Sequence, residues 1–441
     1  MRKIAIVGAG QAGMVLAFDL MNEGYEVTVF EGRPADEIEK GSMLSTAMVF
    51  DRQLDVERRL GLQEWEGKAP VCNGMHATLR LPSGEIILQI QGGLDETCQG
   101  VDARLKTSTW LRRFEREGGR VVHRSVTRAL LEEMADAFDL VVVSSGKGGL
   151  NEVFERDPER SLFDSPPRRL GAVILKNVHE WAEIPYTTLK FQYFISIGEF
   201  FAIPFYSHAG PCRAVVFEAP PGSPMDVWGE VDSADKALAT ARYLLREFSP
   251  QDWPNYRDAE LVDGRSWLKG AITPTVRKAV GRLRTGKAVM AMGDVAVLND
   301  PISGTGANDA VRQADRLGRA IRERGDRPFS ADWMQEVFDG YYHERGKHTM
   351  DFTRLMTGPM TEPFWKILQG AAQSPGVAHT FTNMFNDIKE SMGWMTDMDT
   401  ADAVCAAHAG ELREARFLTL AQAMARFGPC HPTEETNAQA A

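Results

Sequence analysis

The chain has 441 residues, is 43% hydrophobic and 25% charged, and carries a formal net charge of -11. That length allows two or three domains around a sizeable core, and the usage is that of an ordinary globular protein. The acidic balance argues against nucleic acid and anionic membrane surfaces as partners, because both reward clustered Lys and Arg.

Five cysteines, Cys72, Cys98, Cys212, Cys405 and Cys430, are scattered and odd in number, with no C-x-x-C pair. This pattern fits a reducing compartment, with neither a disulfide framework nor a zinc site. "HERGKH" sets His343 and His348 five apart, off one helical face, so no metal is expected.

Taken in chain order, "KIAIV" (3–7) reads as a buried strand, followed by a glycine turn and a helical pattern that ends at Gly24. "EVTVFEG" is the next strand, so the chain starts with a βαβ unit. The N-terminus is basic and then apolar, like a signal peptide, but Gly8, Gly10 and Gly13 break the apolar run. No stretch reaches the roughly 18 apolar residues of a membrane helix. A cytoplasmic enzyme is expected.

"TSTWLRRFEREGG" (107–119) reads as a helix, "RVVHR" as a short strand, and "DLVVVSSGKGG" (139–149) as a buried strand ending in small residues. Residues 170–219 change character: "LGAVILKNV", "TLKFQYFISIG", "EFFAIPFY" and "CRAVVFEAP" read as antiparallel strands. Residues 234–248 are helical, "KAVMAMGDVAV" returns to a buried strand, and 305–324 and 330–350 are helical. A Met- and Phe-rich helical stretch runs to about 410, and the tail "HPTEETNAQAA" reads as frayed. A nucleotide-binding α/β region is thus built from both ends of the chain around a mostly β insertion.

Gly8-Ala9-Gly10-Gln11-Ala12-Gly13 carries the first chemistry. Gly8 allows the tight turn, Gly10 lets a pyrophosphate approach the backbone, and Gly13 lets the helix pack on the strand. The helix N-terminus then stabilises the phosphate charge. Glu31, 23 residues after Gly8, ends the next strand, where a carboxylate accepts from the ribose hydroxyls of an adenosine. It would repel a 2′-phosphate, which disfavours NADP.

The choice between NAD and FAD turns on "VMAMGDVAVLNDPISGTGANDAV" (289–311). FAD is longer and needs a second contact. Asp294 after Gly293, at a strand end, suits a ribityl hydroxyl. The helix N-terminus at Thr305–Asn308 suits the pyrimidine edge, where reduced flavin carries negative charge. Alone, Gly293-Asp294 is as well read as a turn or cap.

The pairing of "GAGQAG" with "GDVAVLNDPISGTGAN" resembles the glutathione-reductase-type, para-hydroxybenzoate-hydroxylase-like flavoprotein monooxygenases. Within them the chain is most similar to the two-component styrene and indole monooxygenase epoxidase subunits. "YEVTVFEGRP", "MLSTAMV", "VDARL", "FDLVVVSSGKGGLNEVFERD" and "FTNMFN" have counterparts in the same order, over most of the chain.

The resemblance implies an α/β fold: a Rossmann FAD-binding domain in 1–168, with a short β excursion about 70–100, and in 271–345. A β-sheet substrate domain in 169–270 and a helical region in 346–430 would follow, with 431–441 as the tail. It implies FAD supplied as FADH2 by an NADH-dependent flavin reductase, and O2 as co-substrate. A C4a-hydroperoxyflavin would transfer one oxygen to a small aromatic or alkene substrate, by epoxidation or sulfoxidation. It also suggests a homodimer. Single-component hydroxylases of this fold usually carry Asp-Gly after the strand that here reads "DLVVV", whereas this chain has Ser144-Ser145-Gly146-Lys147. That departure suits a subunit receiving reduced FAD. A single-component NAD(P)H-dependent hydroxylase and a non-catalytic flavin carrier stay open.

By the same resemblance, Gly8, Gly10, Gln11, Ala12, Gly13, Glu31, Gly32, Arg33, Thr46, Ala47, Arg104, Ser145, Gly146, Gly293, Asp294, Gly306 and Ala307 bind the cofactor. Pro301, Gly304, Thr305 and Asn308 form the wall beside the reacting oxygen, with Ser45 and Thr46 on the flavin's other side. Pocket candidates are Val49, Met75, His76, Cys98, Phe201, Phe205 and Tyr206, with Phe200 beside them. Any single aromatic here is more often a packed core residue than a pocket wall, and His76 more often a surface or packed histidine than a proton donor. The family carries Asn, His and Ser where this chain has Ser45, Val49 and Cys98, which implies a changed pocket on an intact cofactor frame.

Overall fold

A computed structural model of the chain describes residues 1–184, 186–411 and 417–428. It divides into two compact units, one of residues 1–66, 102–165 and 273–350, the other of 67–101, 166–272 and the described residues from 351 onward. The β excursion at 70–100 and the C-terminal helices therefore fall in the second unit. The expected frayed tail lies outside the described residues.

The first unit is a six-stranded sheet in the order Val280–Arg282, Ala288–Ala291, Leu140–Val143, β1 (Lys3–Val7), β2 (Glu26–Phe30), Arg120–Val122. Its neighbours run parallel except for the first pair. The central strands read as unbroken apolar runs because helices cover both faces of such a sheet. Strand order reverses at β1, the switch point outside whose carboxyl end ligands bind in open α/β sheets. α1 (Gln11–Asn22) follows β1, and the helix Gly306–Arg324 packs beside it. The buried Asp19 of α1 accepts from Arg322 at 2.6 Å, and a Cβ on Gly318 would lie 1.9 Å from the same carboxylate. A glycine there is what lets the helices close.

The second unit is built on a sheet ordered Glu260–Leu261, Arg169–Lys176, Gly210–Ala219, Gly198–Ser207, Thr188–Phe194, Val71–Arg80, Ile86–Gly100, with Trp267–Ala271 also paired to Arg169–Lys176. It is antiparallel apart from the pair Val71–Arg80 and Thr188–Phe194. One face packs Phe194, Phe200, Phe217 and Trp228 under the helix Ala234–Phe248. The other packs Met75, Ala77 and Ile90 under Glu362–Ala371 and Pro375–Thr382.

Boundaries moved for local reasons. The helix expected at 107–119 spans Ala103–Arg116, because Asp102 caps it by accepting from the Arg104 amide. The strand expected at 188–198 stops at Phe194, where the chain turns through Ser196 at φ 61°. The helix expected at 330–350 is Ala331–Tyr341, a π-turn at Tyr342–Gly346, and Lys347–Thr357.

Candidate functional site: a flavin cradle

β1 runs into Gly8 at φ +105°, a conformation only glycine adopts without strain. A Cβ on Gly13 would sit 2.0 Å from the Gly8 carbonyl, so helix and turn touch as the motif requires. Gly10 caps α1 with no side-chain bond, and a Cβ there would meet nothing within 4 Å. The first turn thus presents free N–H groups to open space, which is what a pyrophosphate needs. Glu31 closes the rim, its two oxygens accepting from the amides of Ala9 and Arg33 at 3.3 Å each, with the Arg33 guanidinium 3.6 Å away. Gly32 lies against Ser125.

The neighbouring strand end completes the turn. Ser144 Oγ donates to the carbonyls of Val7 and Gly8, and Ser145 Cβ lies 2.8 Å from where a Gly8 Cβ would be. Ser145 is half-buried and Gly146 exposed. The sequence marks Ser144 only as part of the Ser144-Ser145-Gly146-Lys147 departure; its bonds to Val7 and Gly8 carry no sequence signal of their own.

Beneath the N-terminus of α1 lies a buried group that sequence reasoning also missed. The Gln11 amide donates to Glu57 at 3.1 Å, and Lys106 Nζ donates to the same oxygen at 2.5 Å. Burial pushes the Glu57 carboxyl up, and the Lys106 charge opposes it. Arg104 is 2% exposed; its guanidinium binds Asp102 at 2.7 Å and the Gly41 carbonyl at 3.1 Å. Its charge is therefore engaged by its own cap residue, and it acts by fixing the loop at Gly41.

The second half of the cradle begins where Ala288–Ala291 ends. Gly293 sits at φ +64° and its amide donates to Gln313 at 2.7 Å. Asp294 is exposed yet closely surrounded, and its carboxyl is pushed up to about 6 by desolvation first and by Asp309 second. Asp309 is itself buried, accepting from Arg345 at 2.6 Å and Thr349 at 2.9 Å. The loop then makes a single 3-10 turn, Pro301–Ser303, capped by Asp300, and reverses at Gly304 with φ 61°. Ser303 bonds Thr305 at 2.7 Å. The helix from Gly306 and Ala307 has no side-chain cap, and a Cβ on Gly306 would meet nothing within 4 Å. A second set of free N–H groups is thereby presented.

Asn308 is 1% exposed and does something the sequence did not show. Its oxygen accepts from the Phe50 amide at 3.0 Å, and its amide donates to the carbonyls of Met48 at 2.9 Å and Gly304 at 3.0 Å. One side chain ties the segment carrying Ser45, Thr46 and Ala47 to the loop carrying Pro301. Ser45 is exposed and Thr46 and Ala47 are half-buried, while Val49 is buried.

The other pocket candidates belong to the second unit and do not form one lining. Met75 is in the core under the C-terminal helices, and Phe201 stacks on Phe191 at 6.3 Å. His76, one residue on from Met75, takes the opposite face of the sheet. It is 5% exposed, meets Gln89 Nε2 at 2.7 Å, and is pushed down to about 4 by desolvation first and by the Lys190 charge second. Lys190 is paired with Asp252 at 2.8 Å, and Trp181 Nε1 donates to the same carboxylate at 2.7 Å. Cys98 is fully buried, and Phe205, also fully buried, packs on Gly100. Tyr206 is half-buried, and Phe200 stacks on Phe194 in the core.

Among the described residues no group of His, Cys, Asp and Glu is arranged to hold a metal, and no helix is long and apolar enough to cross a membrane.

Residues 146–254 match the family of the styrene monooxygenase A substrate binding domain. The chain is 29% identical over 396 residues to styrene monooxygenase StyA of Pseudomonas fluorescens, covering 87% of this chain and 93% of that protein. It is equally close to StyA of a Pseudomonas species, over 398 residues. In solved structures the fold is shared with a flavoprotein/dehydrogenase from Cytophaga hutchinsonii (TM-score 0.67, 12% identity, 92% of this chain and 99% of that one). It is also shared with p-nitrophenol 4-monooxygenase PnpA from Pseudomonas putida (TM-score 0.57, 14% identity, 91% and 99%). Over most of its length the chain resembles the styrene monooxygenases, and it is a flavin-dependent monooxygenase.

Proposed function

We propose that the cofactor is FAD, taken up in reduced form from a separate NADH-dependent flavin reductase, and that the enzyme transfers one atom of O2 to a small apolar or aromatic substrate. Epoxidation of an alkene or indole, or oxidation of a sulfide, is the reaction class. The observation that carries this is the pair of uncapped helix N-termini in one unit, at Gly10, where Glu31 accepts from the Ala9 amide, and at Thr305, where Asp294 is near enough to feel the charge of Asp309 in the first turn. FAD has two features that need such ends, a pyrophosphate and a flavin that is negatively charged when reduced.

The reduced flavin, once bound, supplies the oxygen activation. The protein's own groups bind and orient. Glu31 accepts from the adenosine ribose, the N–H groups after Gly10 hold the pyrophosphate, and Asp294 accepts from the ribityl chain. The N–H groups after Thr305 stabilise charge on the pyrimidine edge. Asn308 acts as a positioning residue, holding the Pro301–Gly304 loop and the Ser45–Ala47 segment at a fixed separation. No histidine is required to move a proton; His76 is neutral at neutral pH.

The protein, supplied with chemically reduced FAD and then O2 and a panel of styrene, indole and an aryl sulfide, is expected to give oxygenated product. No product from any member, with flavin reoxidation intact, overturns the oxygenase reading in favour of a flavin carrier. Rapid bleaching of bound FAD by NADH without a reductase overturns the two-component reading. Asp294→Ala is expected to weaken FAD binding; an unchanged Kd removes the ribityl role.

A further inference from the structure

In the second unit, Cys72 and Cys98 stand directly opposite one another on adjacent antiparallel strands. We propose that they are a peroxide-oxidisable dithiol, in which Cys72 attacks hydrogen peroxide and Cys98 resolves the product into an intrachain disulfide.

The register supplies the geometry. Residues directly opposed in an antiparallel ladder have Cα atoms roughly 4.5–5.5 Å apart, inside the roughly 4.4–6.8 Å that a disulfide spans. The two thiols already lean on the same stretch of backbone: Cys98 Sγ donates to the Cys72 carbonyl at 3.7 Å and Cys72 Sγ to the Gly74 carbonyl at 3.2 Å. No strand need shift register for the bond to form.

The surroundings divide the roles. Cys72 is held below the ordinary thiol range, first by the hydrogen bond with Cys98, then, against desolvation, by backbone groups of Gly74 and Leu189 and the charge of Arg213. Arg213 is fixed in place by the Thr188 carbonyl at 3.0 Å and Glu180 at 2.6 Å, and it stacks over Trp181. Cys98 is pushed well above that range, by burial first. A thiolate is the nucleophile, and Cys72 is the sulfur that lies between exposed residues and beside the Arg213 charge, so it attacks and Cys98 keeps its proton until the second step.

Both sulfurs are buried, so a reagent must enter. Cys72 is the second residue of its strand, between exposed Val71 and Asn73. The ladder breaks immediately after it: Cys72 pairs with Cys98 and Gly74 with Gly93, so residues 94–97 oppose Asn73 alone. A strand end beside such a bulge opens at little free-energy cost, and hydrogen peroxide is hardly larger than water.

The chemistry balances. The Cys72 thiolate attacks one oxygen of hydrogen peroxide; an S–O bond forms, the O–O bond breaks, and hydroxide leaves, taking a proton to become water. The Cys98 sulfur then attacks the Cys72 sulfenic acid; the S–S bond forms, the S–O bond breaks, and the leaving hydroxide takes the Cys98 proton as a second water. The two thiols lose two electrons in all, and the peroxide is reduced to two waters. That the peroxide arises from flavin turnover that fails to transfer oxygen rests on the proposed function; the dithiol itself is tested with added reagent.

The folded protein, reduced, freed of reductant and treated with dilute hydrogen peroxide, is digested after alkylation and mapped by mass spectrometry. The expected result is a linked peptide pair containing Cys72 and Cys98, restored to two alkylatable thiols by dithiothreitol. In Cys98→Ser, a sulfenic-acid trap such as dimedone is expected to label Cys72; in Cys72→Ser, Cys98 is expected to stay unlabelled. Absence of the linked pair from folded wild type at a peroxide excess that oxidises free cysteine overturns the proposal. So does equal labelling of the two single variants.

Discussion

Replacing His76 by Gln should make the protein less sensitive to acid. In the folded chain His76 is buried, and desolvation together with Lys190 pushes it down to about 4, against an ordinary value of 6.5. As pH falls below 6.5 the unfolded chain takes up a proton that the folded chain refuses. Stability is therefore fully present above 6.5 and is lost progressively as pH drops toward 4. The gap caps the loss at about 3.4 kcal/mol, at about 1.4 kcal/mol per pH unit. About 2.5 kcal/mol of it is already spent by about pH 4.5. Glutamine has no such proton to refuse and keeps an amide facing Gln89. The assay is equilibrium urea unfolding of wild type and His76→Gln, followed by tryptophan fluorescence, at about pH 7 and about pH 4.5. Wild type should lose about 2.5 kcal/mol more than the variant between the two conditions. Parallel losses, or an NMR titration placing His76 near 6.5, would refute the reasoning and reopen His76 as a proton carrier.

The proposed adenosine end of the cradle gives a sharper discrimination: Glu31→Ala should weaken binding of FAD but not of FMN, which lacks the adenosine, and equal losses would remove the ribose role. Gly13→Ala drives a Cβ to 2.0 Å from the Gly8 carbonyl; a loss of about 3 kcal/mol is expected, as for overpacking that backbone must absorb, and a thermal scan showing near-wild-type stability would contradict it. Asp309→Ala strands the buried Arg345 charge, for a loss of about 3–5 kcal/mol. The double variant with Arg345→Met should recover much of it, and a double variant no better than the single would refute the charge argument. Asp309→Asn should also lower the Asp294 carboxyl from about 6, visible in the pH dependence of flavin affinity.

What the sequence made legible were the features with short-range causes. Gly8 and Gly293 take positive φ, a Cβ on Gly13 would strike the Gly8 carbonyl, and Glu31 and the Gly293-Asp294 step follow strand ends; each sits where expected in one unit. The helix 234–248 matched because its apolar stripe lies within it and its cap, Ser233, immediately precedes it. What stayed hidden depends on distant partners. Asn308 contacts Phe50 across 258 residues, and Glu57 is explained only by Lys106 and Gln11. The pocket candidates fared differently because alternation along a strand sends Met75 and His76 to opposite faces. Aromatic content alone marked Phe200 and Phe205, and both are core.

The Asn308 clamp makes the two ribbons proposed to flank the flavin, Met48–Phe50 and Pro301–Gly304, a single mechanical element. Whatever orders the Pro301–Gly304 loop also removes freedom from the backbone at Met48–Phe50, and the reverse holds with the same free energy. Flavin docking at one ribbon should therefore slow hydrogen exchange at the Phe50 amide on the other, an effect that Asn308→Ala should abolish. If Ser45 and Val49 line the proposed pocket, oxygen transfer and cofactor retention should not vary independently in variants of either. Pocket variants that loosen this ribbon should leak reduced flavin before they accept a new substrate.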